Sequence, residues 1–197
     1  MALKNSANNY GSIAKFLHWS IAALFLASYV TVYYRHWFTE EKTPENWIAL
    51  QLHLSVGISI VALVVLRIIW RIMNRLPNNE PGPHLAHIAA HVGHYILYAV
   101  MILMPITGYI GTGVNTEYFL LFDIPKFEST VVYQFIVTDL LGLTFEEFES
   151  PIDYFHKTIM GEYAVWILIL GHASAAIYHH IVQKDRTLIK MTTGNNG

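Results

Sequence analysis

Imidazole is the chemistry this sequence offers most of. Eleven of its 197 residues are histidines, and His156, His172, His179 and His180 all fall in one stretch, FHKTIMGEYAVWILILGHASAAIYHH, from Phe155 to His180. That stretch is apolar and long enough to cross a bilayer. An ionisable side chain at membrane depth is costly and marks a functional site by default. The chain has no cysteine, which excludes disulfides, iron–sulfur clusters and thioether-linked c-type haem. Histidine and methionine remain as iron ligands. His156 and His172, near opposite ends of one span, read as one axial ligand to each of two haems, with the remaining chain supplying two partners.

The elements that must position these rings follow from composition and pattern. Hydrophobic residues make up 54% of the chain and charged ones 13%, against about 25% charged in soluble domains. Mean hydropathy is +0.38. These values describe an integral membrane protein of one compact domain, 1–197, and a net charge of −2 implies no nucleic-acid partner. Four spans are expected, at about 16–34, 47–70, 88–113 and 157–182, each near the 20 or so residues that a bilayer core requires. The fold class is therefore an all-α four-helix membrane bundle. Residues 1–15 read as a short polar tail, and the first apolar run is too long for a cleavable signal. Residues 114–155 form a long connection in which 131–148 reads as an amphipathic surface helix rather than a fifth span.

Charge sets the orientation. The two tails, the 71–83 loop and their flanks carry Lys4, Lys15, Arg67, Arg71, Arg75, Lys184, Arg186 and Lys190 against Glu80 and Asp185. The opposite side carries Arg35, Lys42, Lys126 and Lys157 against the other twelve acids. The positive-inside rule then places both termini in the cytoplasm and the long loop outside.

With orientation assigned, each histidine acquires a depth. His18 begins the first span from inside, and His53 begins the second from outside. His156 begins the fourth from outside, and His172 lies roughly 24 Å deeper at 1.5 Å per residue. The depths pair His53 with His156 for an outer haem and His18 with His172 for an inner one, the arrangement by which facing helices hold a cofactor in a bundle. Phase raises a conflict. Sixteen residues at about 100° each leave His156 and His172 roughly 160° apart on a straight α-helix. Either a π-bulge near Gly161 corrects the phase, or His156 sits in a non-helical entry, or another residue such as His36 is the outer ligand. An irregularity between His156 and Tyr163 is expected.

Other residues have candidate roles. His84, His87, His91 and His94 fall in an arc of about 80° on one helix, either an interfacial stripe or a zinc or copper site; His94 is a reserve inner ligand. Arg67 lies at the inner-haem level, on the face of His53, and either pairs with a propionate or snorkels. Arg35 is the outer equivalent. His179 lies two turns beyond His172 on the same face, placed to exchange protons with a quinone or to form a polar pair with His180. Gly57 and Gly171 give a porphyrin room to approach the backbone, or serve helix packing.

His18-Trp19, the run His53-Leu-Ser-Val-Gly57-Ile-Ser, His91-Val-Gly-His94 and GHASAAIYHHIVQKDRTLIKM at 171–191 together resemble the bacterial cytochrome b561 family, and within it the superoxide oxidase-like type. The resemblance spans all four helices. It implies a diheme b-type cytochrome of the bacterial inner membrane that exchanges electrons with ubiquinone. The family's ligands correspond to His18, His53, His156 and His172, and its quinone-side histidine to His179. Superoxide is the implied outer donor, although an outer face of twelve acids against four bases repels an anion. That face suits a basic redox protein, so the second reading is a haem-containing anchor for a partner dehydrogenase or soluble cytochrome. A third is a haem-free transition-metal transporter.

Overall fold

The computed structural model describes residues 2–194, and 73% of these are helical. Four helices are long and apolar enough to cross a membrane: α1 (Ser12–Phe38), α2 (Pro44–Met73), α3 (His84–Ile110) and α5 (Phe145–Gln183). Between α3 and α5 lie two short antiparallel strands, β1 (Thr116–Tyr118) and β2 (Phe122–Ile124), and a shorter helix, α4 (Val131–Leu140). A last short helix, α6 (Thr187–Met191), closes the described chain.

Local signals explain the helix ends. Thr43 caps α2, accepting from Asn46 N–H at 3.3 Å with Pro44 in the first turn. Thr144 and Glu147 form a reciprocal capping box at the start of α5, satisfying donors that a helix leaves orphaned. α5 is 39 residues long and starts well before the expected residue 157. The expected 131–148 helix is interrupted: Gly142, at φ +67°, ends α4, and the capping box restarts the chain as α5.

The core is a narrow seam. Ile21, Phe25 and Tyr29 of α1 meet Val56, Ile60 and Val64 of α2, with Val100, Met160 and Val165 from the other two helices. The four-residue spacing puts each set on one helix face. Only 6–22% of each span's apolar window is buried within the protein, so most apolar surface faces outward, as lipid allows and water does not.

The polar N-terminal tail expected over 1–15 is folded against the bundle. Asn78 N–H donates to Ala7 C=O at 2.8 Å, and Asn5 donates to Arg75 C=O at 3.0 Å. Gly11 packs so tightly that a Cβ there would lie 2.2 Å from Leu3 O. The C-terminal segment joins the same cap: Lys15 donates to Thr192 C=O at 2.9 Å and Trp19 to Met191 C=O at 3.1 Å. Lys190 is buried, ion-paired with Glu80 and donating to Asn78 C=O. Lys190→Ala leaves Glu80 half-buried without its partner and is expected to cost about 2 kcal/mol, read as a lower thermal midpoint in detergent.

Candidate haem sites

At the end of the bundle opposite the termini, His53 of α2 faces His156 of α5, with ring centres 6.4 Å apart and planes at 77°. Neighbouring helices hold both rings by Nδ1. His53 Nδ1 lies 3.2 Å from Ser28 C=O and 3.1 Å from Ser28 Oγ. A carbonyl only accepts, so Nδ1 carries the proton. His156 Nδ1 lies 3.1 Å from Thr107 Oγ1, whose own proton goes to Leu103 or Met104 C=O, so Nδ1 donates there too. Both rings therefore present an unprotonated Nε2, the tautomer that binds a metal. It is His156, not the exposed His36, that faces His53.

The backbone resolves the phase conflict. Residues Phe155–Ala164 are π-helical, so about half of the path from His156 to His172 turns more slowly than an α-helix. At roughly 82° per residue in the π segment and about 100° elsewhere, the rotation returns to four whole turns within about 20°. The two rings thus share a face, and His156 lies inside a continuous helix rather than in a non-helical entry. The wider helix leaves Gly161 C=O to accept from Tyr29 O–H at 2.8 Å.

At the terminal end, His18 and His172 have ring centres 6.1 Å apart. His94 is also there, 5.8 Å from His172, with its Nδ1 donating to Ala90 C=O at 2.7 Å. Arg67 lies within electrostatic reach of all three rings. Its Nε donates to Tyr98 O–H at 3.3 Å, and Arg67 and Arg71 both sit over the Tyr98 ring, at 5.6 and 5.2 Å. Tyr10 closes this group: burial pushes its hydroxyl above the ordinary value, opposed chiefly by the Arg71 charge. The sequence reading missed Arg71, Tyr98 and Tyr10; the four-residue spacing of Arg67 and Arg71 was the available signal. Arg35 lies within electrostatic reach of His53 and donates to Asn46 Oδ1 at 3.1 Å.

His84, His87, His91 and His94 do not converge: among the described residues no three His, Cys, Asp or Glu side chains form a metal-ion site, and His87 Nε2 donates to Glu80 C=O at 3.0 Å. His179 does not form a polar pair with His180; its Nδ1 is hydrogen-bonded to the Asp185 carboxylate.

Facing imidazole pairs near the two ends of four long apolar helices define the class: a helical membrane bundle whose interior offers imidazoles to a metal cofactor. Residues 9–194 match the family model for prokaryotic cytochrome b561, and the chain belongs to that family. No curated protein matches it. The family binds haem b and carries electrons in membranes. The residues fit that group. A metal bound at about 2 Å to one nitrogen of each of two imidazoles sets the ring centres roughly 6 Å apart, close to both separations here. Gly57, one turn from His53, leaves room beside it, since a Cβ there would meet no atom within 4 Å.

Burial alone would raise the Asp185 carboxyl, but hydrogen bonds from His179 and Thr187 and the His179 charge hold it below the usual carboxylate range. A depressed carboxylate stabilises the fold above its unfolded value and loses that contribution as pH falls through the folded one. The Asp185 turn is therefore expected to stay docked at neutral pH and release only below about pH 4, a transition that Asp185→Asn removes, followed by hydrogen exchange at Thr187.

Proposed function

We propose that this chain is a diheme b-type cytochrome of the bacterial inner membrane, moving electrons between a donor outside and ubiquinone inside, with both termini cytoplasmic. The observation that carries the reading is the pair of facing imidazole couples, one near each end of the bundle. Haem b, when bound, supplies a one-electron carrier. His53 and His156 hold the outer group, and His18 and His172 the inner one. Arg35 and Arg67 offer guanidinium partners to propionates. His179, its Nδ1 directed at Asp185, keeps Nε2 for proton exchange with quinone at the cytoplasmic face. Superoxide is the outer donor the family resemblance suggests. The acidic outer face favours a second reading, a membrane anchor taking electrons from a basic redox protein. Rapid reduction of the purified protein by superoxide with release of quinol separates the enzyme from the anchor.

Haem stoichiometry tests the assignment. Two haems per chain are expected, with His53→Ala losing only the outer and His172→Ala only the inner; retention of both after either change refutes the pairing. Gly108→Ala provides a subtler test. Its Cβ would lie 2.9 Å from His156 Cε1, so it displaces that ring and should lower the count toward one haem per chain.

A further inference from the structure

We propose that the β1–β2 hairpin is itself a membrane element, with its tip, Phe119–Phe122, immersed in the acyl chains of the leaflet at the loop-bearing end. The inference rests on the membrane placement of the four helices and is independent of the haem assignment.

The first observation is a polar stripe on α2 that has no place on a lipid-facing helix. Gln51, Ser55 and Ser59 recur every four residues, and Gln51 and Ser55 are fully buried. What covers them is strand β1. Gln51 donates to Asn115 C=O at 3.2 Å and accepts from Glu117 N–H at 2.7 Å. Ser55, its proton given to Gln51 C=O, accepts from Phe119 N–H at 2.8 Å. Ser59, bonded likewise to Ser55 C=O, lies 2.9 Å from Tyr118 O–H. The stripe supplies the hydrogen bonds that a non-helical backbone requires at membrane depth, where irregular chain survives only against protein.

Depth follows from the same contacts. Trp47, a residue type enriched at membrane interfaces, bonds Glu117, so the top of the strand lies at that level. Ser55 and Ser59 lie about 12 and 18 Å further along α2, and the hairpin descends beside them.

The tip supplies an independent observation. Phe119 and Leu120 adopt φ of +46° and +61°, the left-handed region that a hairpin turn in water fills with Asn or Gly. Bulky apolar residues are strained there. The tip accepts that strain and presents Phe119, Leu120, Leu121 and Phe122 outward, Leu121 at 79% exposure. Acyl chains are the surroundings in which that choice is favourable, and the patch continues the apolar outer surface of the spans.

The absence of cysteine makes the test clean. Leu121→Cys and, as a control at the start of α5, Glu146→Cys are each labelled with a nitroxide in the full-length protein in phosphatidylcholine–phosphatidylglycerol vesicles. Collision with oxygen is compared with collision with a water-soluble nickel chelate by electron paramagnetic resonance. The expected result is an oxygen preference of several-fold at 121 and the reverse at 146. A nickel preference at 121 overturns the proposal and makes the tip a water-facing docking loop. Adding Gln51→Leu to Leu121→Cys, which strips partners from Asn115 and Glu117, should shift the label toward the chelate; an unchanged oxygen preference would show that the stripe does not hold the hairpin at depth.

Discussion

The turning rate of α5 governs the centre of this protein. A helix that presents two imidazoles sixteen residues apart to one interior has to rotate more slowly than an α-helix, and the π-helical run over Phe155–Ala164 does this. A widened backbone needs other partners for its carbonyls, because lipid offers none. Tyr29 serves Gly161, and Tyr29 is the end of the Ile21–Phe25–Tyr29 stripe that seats α1 in the core. Its neighbour Ser28 holds His53 of α2. Consecutive residues of α1 thus tie down both the helix irregularity and one ring of the facing pair. Thr107 and Gly108 of α3 fix the other ring by a hydrogen bond and by close contact. All four spans contribute to one site.

Much of this was legible in the sequence because it depends on two periodicities, depth and phase. Hydropathy gave the four spans, and counting at 1.5 Å and about 100° per residue brought His53 into register with His156 and exposed the conflict between His156 and His172. The same count could not choose the remedy, since a π-helix, a broken helix and a different ligand answer it equally well. The hairpin was illegible for a different reason. Its strands are three residues long, too short for alternation to register, and its turn lacks the Asn and Gly that announce one. The folded N-terminal arm was missed because the bonds that dock it on the bundle run mainly through backbone carbonyls, those of Ala7, Arg75 and Thr192, which no side-chain pattern reveals.

The Gln51–Ser55–Ser59 stripe and the Tyr29–Gly161 bond answer the same constraint. In each, a side chain at membrane depth satisfies main-chain groups that regular helix geometry leaves unpaired. The stripe lies about 100° round α2 from the Val56–Ile60–Val64 face, so that helix carries polar residues on two faces for two purposes: His53 toward α5, and the hydrogen-bonding ladder toward β1. A hydropathy profile averages both into one apolar span, which explains how a helix with mean hydropathy 2.3 over its best window also holds two of the most completely buried polar side chains in the protein.

The two imidazole sites differ in charge, in the sense that the proposed transfer from an outer donor to an inner quinone requires. Near His53 the nearby guanidinium is that of Arg35, engaged with the neutral Asn46. At the other end Arg67 acts on His18 and His172, and Arg71, one turn further along α2 and over the same Tyr98 ring, adds its charge at the adjoining His94. An added electron is stabilised more strongly beside two positive charges than beside one, and the effect grows as the effective dielectric falls below that of water. Both arginines also belong to the basic set that the positive-inside rule assigns to the cytoplasm. One bias in sequence composition therefore serves both parts of the proposal: the cytoplasmic placement of the termini, and a reduced state favoured on the side where quinone is proposed to bind.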